Sequence, residues 1–308
     1  MKRTLRIGTR ASALATAQSG AICRQLAKRH KGYRFRLVEI RTHGDEFQSV
    51  EIFKKTNVGV FTKEIEKQLL DRRIDIAVHS LKDLPTDLPK DLVIGAYPKR
   101  ESVEDALVSK ERHTLASLPM GAVVGTGSPR RKRQLARLRP DLNLVDIRGN
   151  LDTRVRRAVH EGRYDAVVVA MAGLKRVNKF LRYARAIPAD ELLPAVGQAA
   201  LAVEVRADDA EARRLVGTLN HAATETAVRA ERVFLKALQG GCRVPVGVRT
   251  RLSRGKLRFS AAVFSTKEDD HVRGEVTVPA ARAGQAAKQL AAKLLKAGAR
   301  RFLKEARP

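Results

Sequence analysis

Apolar residues follow two rhythms along most of this chain. Short apolar runs read as buried strands: Leu5–Gly8, Phe35–Ile40, Ile74–His79 and Leu92–Ala96. Between them lie stretches with apolar residues on one helical face. One is Ala- and Gln-rich and ends near His30. Another spans about Phe61 to Asp71, with Ile65, Leu69 and Leu70 on one side. A second unit repeats the grammar: Val123–Gly125, Leu144–Ile147 and Ala166–Ala170 are strands, and each leads into a helix. This alternation predicts an α/β fold with largely parallel sheets covered by helices. Arg100–Asp105 reads as a linker. Ala200–Val205 reads as a strand returning to the first sheet, so the chain would cross twice between the halves in a hinge arrangement. Helices follow at Ala210–Leu219 and Ala222–Leu238.

The rhythm then changes. Val246–Arg251, Lys256–Phe264 and Val272–Val278 alternate as a small three-stranded sheet. Gly284–Phe302 is an amphipathic helix with Leu290, Leu294, Leu295 and Phe302 inward. These elements predict a further α+β domain. Thr42–Gly59 has no period and is polar; a loop this long predicts a lid or binding loop.

Composition sharpens this picture. A chain of 308 residues with 44% hydrophobic content builds more than one core. No apolar run approaches the length of a membrane span, and Met1–Gly8 lacks the apolar stretch of a secretory signal. Two cysteines, Cys23 and Cys242, form no disulfide framework, which fits a reducing cytoplasm. The formal net charge of +28 implies an anionic partner or a generally basic surface. Lys and Arg are spread over the whole length, and only 4% of residues are aromatic. A base-stacking platform is therefore not predicted; any affinity for nucleic acid would be electrostatic and salt-sensitive.

Candidate chemistry gathers where apolar runs stop. Ile74–Val78 ends at His79, Ser80, Lys82 and Asp83, just before Pro85, which disfavours helix at Leu84. A carboxylate beside an ammonium at the carboxyl end of a buried strand is where an open α/β sheet places its site. A local ion pair is the plainer reading. Arg10, Arg130, Arg131, Arg148 and Arg176 each lie just past a strand and at, or within a turn of, a helix start. Ser128 suits an N-cap and Pro129 a first helical position. Helix N-termini with guanidinium groups at one rim make a receptor for carboxylates or phosphates. No Walker A or G-x-G-x-x-G pattern is present, so nucleotide phosphates lack their usual cradle. Cys242 follows two glycines and precedes Arg243. That pattern reads as an accessible thiol on a tight turn, against the alternative of an inert small residue.

In order, the motifs are Arg6–Ser12, Asp75–Pro85, Gly125–Arg131, Arg148–Asn150 with Thr153 and Arg154, Ala172–Arg176, Leu193–Gln198 and Gly240–Pro245. Over nearly its full length the chain resembles the porphobilinogen deaminase (hydroxymethylbilane synthase) family. The resemblance implies two periplasmic-binding-protein-like α/β domains with mixed sheets flanking a cleft, plus a small C-terminal α+β domain. The divisions are 1–98 with 199–218, 103–193, and 221–308. It implies a dipyrromethane cofactor attached through Cys242 by thioether. On it four porphobilinogen units are joined head to tail with loss of ammonia, and water then releases hydroxymethylbilane. It makes Asp83 the catalytic acid/base. It makes Lys82, Ser128, Arg130, Arg131 and Arg154 cofactor-binding, and Arg10, Ser12, Arg148, Arg154, Arg176 and Gln198 substrate-binding. No metal is expected, and the family tendency is to a monomer; composition and cysteine usage predict no specific nucleic acid, no membrane and a cytoplasmic location.

Three positions depart from the family pattern. Thr56–Val60 lacks the usual lysine, Gly127 replaces a usual Ser, and Ala199 replaces a usual Gly. None touches Asp83 or Cys242, so an active enzyme is expected.

Overall fold

The structure is a computed structural model that describes residues 3–40, 62–239 and 244–306. The long polar stretch at 42–59 and Cys242 lie outside the described residues. The chain forms two compact units, Met1–Glu101 with Ala200–Glu225, and Ser102–Ala199 with Thr226–Pro308.

The first unit contains β1 (Thr4–Arg10), α1 (Ala13–Arg29), β2 (Arg34–Ile40), α2 (Lys63–Leu70), β3 (Ile76–Ser80), β4 (Leu92–Ala96), β10 (Leu201–Arg206) and α6 (Ala210–Gly217). Its sheet runs β2-β1-β3-β10-β4. β1 pairs parallel to β2 and β3, whereas β10 is antiparallel to both β3 and β4. Apolar side chains cover both faces. Leu5, Ile7, Ile76 and Val203 pack with Ile22 and Leu26 of α1 and Leu215 of α6; Ile74 and Ala77 pack with Ile65 and Leu69 of α2. Burial on both faces is why these strands read as continuous apolar runs.

The second unit repeats the plan. It has β5 (Asp105–Val108), β6 (Val123–Gly125), α3 (Pro129–Leu138), β7 (Asn143–Val145), α4 (Leu151–Val159), β8 (Ala166–Ala170), α5 (Met171–Val177) and β9 (Ala184–Ile187). The order is β7-β6-β8-β5-β9, with β5 antiparallel to β8 and β9. In each sheet the one reversed strand, β10 or β5, follows directly on a passage of the chain from the other unit. Because of these strands two of the four pairings in each sheet are antiparallel, so the sheets are mixed rather than largely parallel as the alternation alone predicted. Two strands differ from the sequence reading. β5 starts at Asp105, within the segment read as linker, and β9 was not predicted from the pattern. Both are four residues long.

The second unit also holds α7 (Ala222–Ala237), within which the unit boundary falls, β11 (Val246–Ser253), β12 (Lys256–Phe264), β13 (His271–Pro279), α8 (Ala283–Leu294) and α9 (Arg300–Glu305). The three strands form an antiparallel meander. Leu257, Phe259, Ala261 and Val263 alternate onto a core shared with Phe234 of α7 and Leu290 and Leu294 of α8. The single helix expected over Gly284–Phe302 is broken by a wider turn at Leu295–Ala299, where Gly298 takes φ 114°. Phe302 still reaches the core, at 0% exposure.

Candidate functional site

In the first unit the rim is built by β1 and β3. Ile7 aligns with Ile76 and Gly8 with Ala77, so their carboxyl ends lie side by side. Arg10 closes β1. Ser12 caps α1, its Oγ accepting from the Ala15 N–H at 3.3 Å. Beyond Ser80 the chain makes one 3₁₀ turn, Leu81–Asp83. Leu81 is buried, and its N–H donates to the Ala200 carbonyl at 3.0 Å. Leu84 is also buried, and its N–H donates to the Leu81 carbonyl at 3.2 Å. As expected before a proline, Leu84 is extended, with ψ 126°. Two buried leucines thus pin the turn at both ends. Lys82 is left half-buried and Asp83 exposed.

The polar cluster read at this strand end divides in two. Ser80 stays at the rim and exchanges hydrogen bonds with Gln18 at 3.0 and 3.3 Å. His79 points inward, with Nε2 2.9 Å from Glu204 of β10; both are buried. Glu66 of α2 lies in the same interior. Burial, and then the charge of Glu204, push its carboxyl above the usual range, opposed by His79, Thr62 and Lys63. Neither glutamate was identified from the sequence, since each sits in an otherwise ordinary helix or strand pattern.

In the second unit β6, β7 and β8 are parallel neighbours, so their carboxyl ends also share a rim. β5 is antiparallel to β8 with Asp105 opposite Ala170, which brings its first residue to that rim. Ser128 caps α3 and accepts from the Arg131 N–H at 3.5 Å, with Pro129 at the first helical position, as predicted. Arg130 and Arg131 turn inward around Asp105. Arg130 Nη2 lies 2.8 Å from Oδ2, and Arg131 Nη2 lies 2.7 Å from Oδ1. Gln198 Nε2 donates to the same Oδ1 at 2.9 Å and to the Val103 carbonyl at 2.8 Å. Arg130 also donates to the Leu193 carbonyl, and Arg131 to that of Val168. Asp105 is 0% exposed, and the arginines are 5% and 6% exposed.

Burial pushes the Asp105 carboxyl up, but the charges of Arg130 and Arg131 outweigh it and hold it down at about 2. Burial lowers Arg130 from its usual value, opposed by Asp105, and a guanidinium at such values remains charged. The group therefore holds two buried positive charges against one negative. Arg130 Nε is buried without a hydrogen-bond partner among the described residues.

The remaining predicted residues stand on neighbouring segments. Asn150 caps α4, and Arg154 Nε donates to the Gly149 carbonyl at 2.6 Å. Arg148 precedes that cap and is half-buried, as is Arg154. Arg176, in α5 after β8, donates to the Ala199 carbonyl at 2.5 Å. Asp105, like Glu66 and Glu204, was missed by the sequence reading. Its signal was a carboxylate opening the short apolar run Ala106–Val108. Among the described residues no cluster of His, Cys, Asp and Glu is arranged to hold a metal, and no helix is long and apolar enough to cross a membrane.

Residues 5–214 match the family described as porphobilinogen deaminase, dipyromethane cofactor binding domain, and residues 225–296 match porphobilinogen deaminase, C-terminal domain. The chain is 46% identical over 307 residues to porphobilinogen deaminase of Desulforudis audaxviator, covering 100% of this chain and 99% of that one. It is 44% identical over 301 residues to porphobilinogen deaminase of Moorella thermoacetica, covering 98% and 96%. Among solved structures it is similar to the periplasmic aliphatic sulphonate binding protein SsuA from Escherichia coli. That similarity has 17% identity and a TM-score of 0.39, over 78% of this chain and 71% of that one.

Proposed function

The chain belongs to the porphobilinogen deaminase family, and from that premise we propose that Asp83 is the acid/base group of its reaction and Cys242 the attachment point of its cofactor. The reaction is a transferase step of tetrapyrrole biosynthesis: porphobilinogen units are condensed head to tail with loss of ammonia, and hydroxymethylbilane is released by water. Dipyrromethane supplies the pyrrole primer on which the chain grows.

The residues present fit a group bearing carboxylates. Arg130 and Arg131 carry one more charge than Asp105 neutralises, and Arg130 Nε is a buried donor without a partner among the described residues. Fork-shaped guanidinium groups match carboxylates two bonds at a time. We assign cofactor carboxylates to Lys82, Ser128, Arg130, Arg131 and Arg154. Those of the substrate and growing product go to Arg10, Ser12, Arg148, Arg154, Arg176 and Gln198.

The single observation carrying this reading is the presentation of Asp83: an exposed carboxylate at the carboxyl end of β3, on a turn pinned by buried Leu81 and Leu84. A fixed carboxylate stabilises the positive charge that develops as the aminomethyl group loses ammonia. It then accepts the pyrrole proton once the new carbon–carbon bond has formed. Lys82, which precedes it in the chain, offers a cation to a carboxylate of the ligand.

Our reading includes three domains, 1–98 with 199–218, 103–193, and 221–308. Support comes from three separate sheets and from the core that β12 shares with α7 and α8. It also includes a cytoplasmic monomer without a specific nucleic-acid partner; the sparse cysteines support the compartment.

The test is incubation with porphobilinogen, then acidification, oxidation and measurement of porphyrin absorbance. Asp83→Ala is expected to lower turnover by about 10²–10⁴-fold or more while the intact mass keeps the added cofactor. Cys242→Ala is expected to lose that mass. A wild-type protein of unmodified mass that forms no porphyrin overturns the reading.

A further inference from the structure

Asp105 has no role in the scheme above, yet Arg130, Arg131 and Gln198 all converge on it. It opens β5 immediately after the chain enters the second unit at Ser102. Gln198 lies just before the chain leaves again after Ala199. Gln198 donates to Asp105 Oδ1 at 2.9 Å and to the Val103 carbonyl at 2.8 Å, so it fastens the incoming and outgoing segments to each other. The same Oδ1 receives Arg131 Nε at 3.1 Å and Nη2 at 2.7 Å, and Oδ2 faces Arg130 Nη2 at 2.8 Å.

Two adjacent guanidinium groups would repel each other if buried alone, and each would turn towards whatever carbonyls lay nearby. One carboxylate between them cancels half of their charge and sets both planes. What remains is a net single positive charge. The buried Nε of Arg130, lacking a partner among the described residues, adds a donor to that charge. A ligand carboxylate is the group that completes such a site.

We propose that Asp105 is a positioning residue, an internal counter-carboxylate that holds Arg130 and Arg131 as one monovalent receptor for a ligand carboxylate and links that receptor through Gln198 to the segment ending at Ala199. The proposal rests on the assignment of Arg130 and Arg131 to carboxylate binding and extends it to the residue that shapes them. A carboxylate acting by charge and geometry is replaceable by a soluble one of the same chemistry. A carboxylate acting only as structural filling is not.

The experiment uses Asp105→Ala, prepared in sodium formate and in equimolar sodium chloride. Asp75→Ala serves as comparison, because Asp75 is also a buried carboxylate between two guanidinium groups, Arg6 at 3.0 Å and Arg206 at 3.2 Å, at the opposite end of β3. In chloride, Asp105→Ala is expected to lose about 10 °C in Tm, and the fraction of molecules carrying the added cofactor mass is expected to fall. In formate both are expected to recover by half or more, and turnover is expected to rise saturably with formate by about tenfold. Asp75→Ala is expected to lose stability but to keep wild-type turnover per folded molecule.

If Asp105→Ala is recovered as soluble protein only in formate, that selective recovery supports the proposal. Formate performing no better than chloride on Tm, cofactor mass and recovery overturns it. Wild-type protein is assayed alongside. If wild type lacks the added mass and forms no porphyrin, the proposed function itself has failed. If wild type is loaded and active while formate does nothing, only the role of Asp105 has failed.

Discussion

Asp105 and Glu66 are both buried carboxyls, and their surroundings push them in opposite directions. Two guanidinium groups hold Asp105 at about 2, below its ordinary 3.8. A folded-state value below the unfolded one means stability that is complete above the ordinary value and lost as pH falls through the folded value. The contribution is on the order of 2 kcal/mol and disappears between about pH 4 and pH 2. Acid titration of Tm for wild type against Asp105→Asn is expected to show the two curves converging in that window. Glu66 has the opposite sign. Burial and Glu204 raise it, so it favours folding below its ordinary 4.5, and this is lost as pH rises through the folded value. Glu66→Gln is expected to raise Tm at pH 7 to 8, with the gain shrinking towards pH 4. A Tm lower than wild type at pH 8 counts against the account of that interior.

At the scale of elements, helix starts and strained connections decide how the rim is presented. Ser128 and Asn150 cap the helices that follow β6 and β7. Replacing either with Ala is expected to cost about 1 kcal/mol, read by denaturant unfolding. Ala199 has φ 69°, a left-handed conformation that a Cβ disfavours, where the family usually has Gly. Ala199→Gly is therefore expected to stabilise the protein by about 1 kcal/mol without changing the acceptor that Arg176 uses, the Ala199 carbonyl. Gly127 behaves in the reverse way. A Cβ there would lie 2.8 Å from the Ile147 carbonyl oxygen, so the family's usual Ser does not fit this backbone without movement of the β7–α4 connection. Gly127→Ser is expected to lower Tm.

For the whole molecule the dominant quantity is charge. At +28, the chain repels itself, and added salt screens the repulsion. Tm is expected to rise as NaCl increases from about 20 to 200 mM, over which the screening length shortens to about 7 Å. Retention on DNA or heparin is expected to be strong at the low end and to fall steeply over the same range, the behaviour of non-specific phosphate contacts. Lys and Arg occur in every one of the helices α1 to α9 rather than being massed on one, so no single helix deletion is expected to abolish retention.

Periodicity, caps and breakers determined much of this protein unaided. Ser128, Pro129 and Pro85 act within a few residues of themselves, and the apolar runs of β3 and β8 announce burial on both faces. The family itself was legible because its motifs are contiguous, as at Asp75–Pro85 and Gly125–Arg131. Only the tertiary structure decided the partners. Arg131 and Asp105 are separated by 26 positions, and His79 and Glu204 by 125, so no local pattern joins them. β5 and β9 emerged only from their pairing in the sheet, β5 between β8 and β9, and β9 at the edge against β5. The turn that exposes Asp83 was visible as a stop before a proline. What holds it, the Ala200 carbonyl across the strand pair, comes from residues far along the chain.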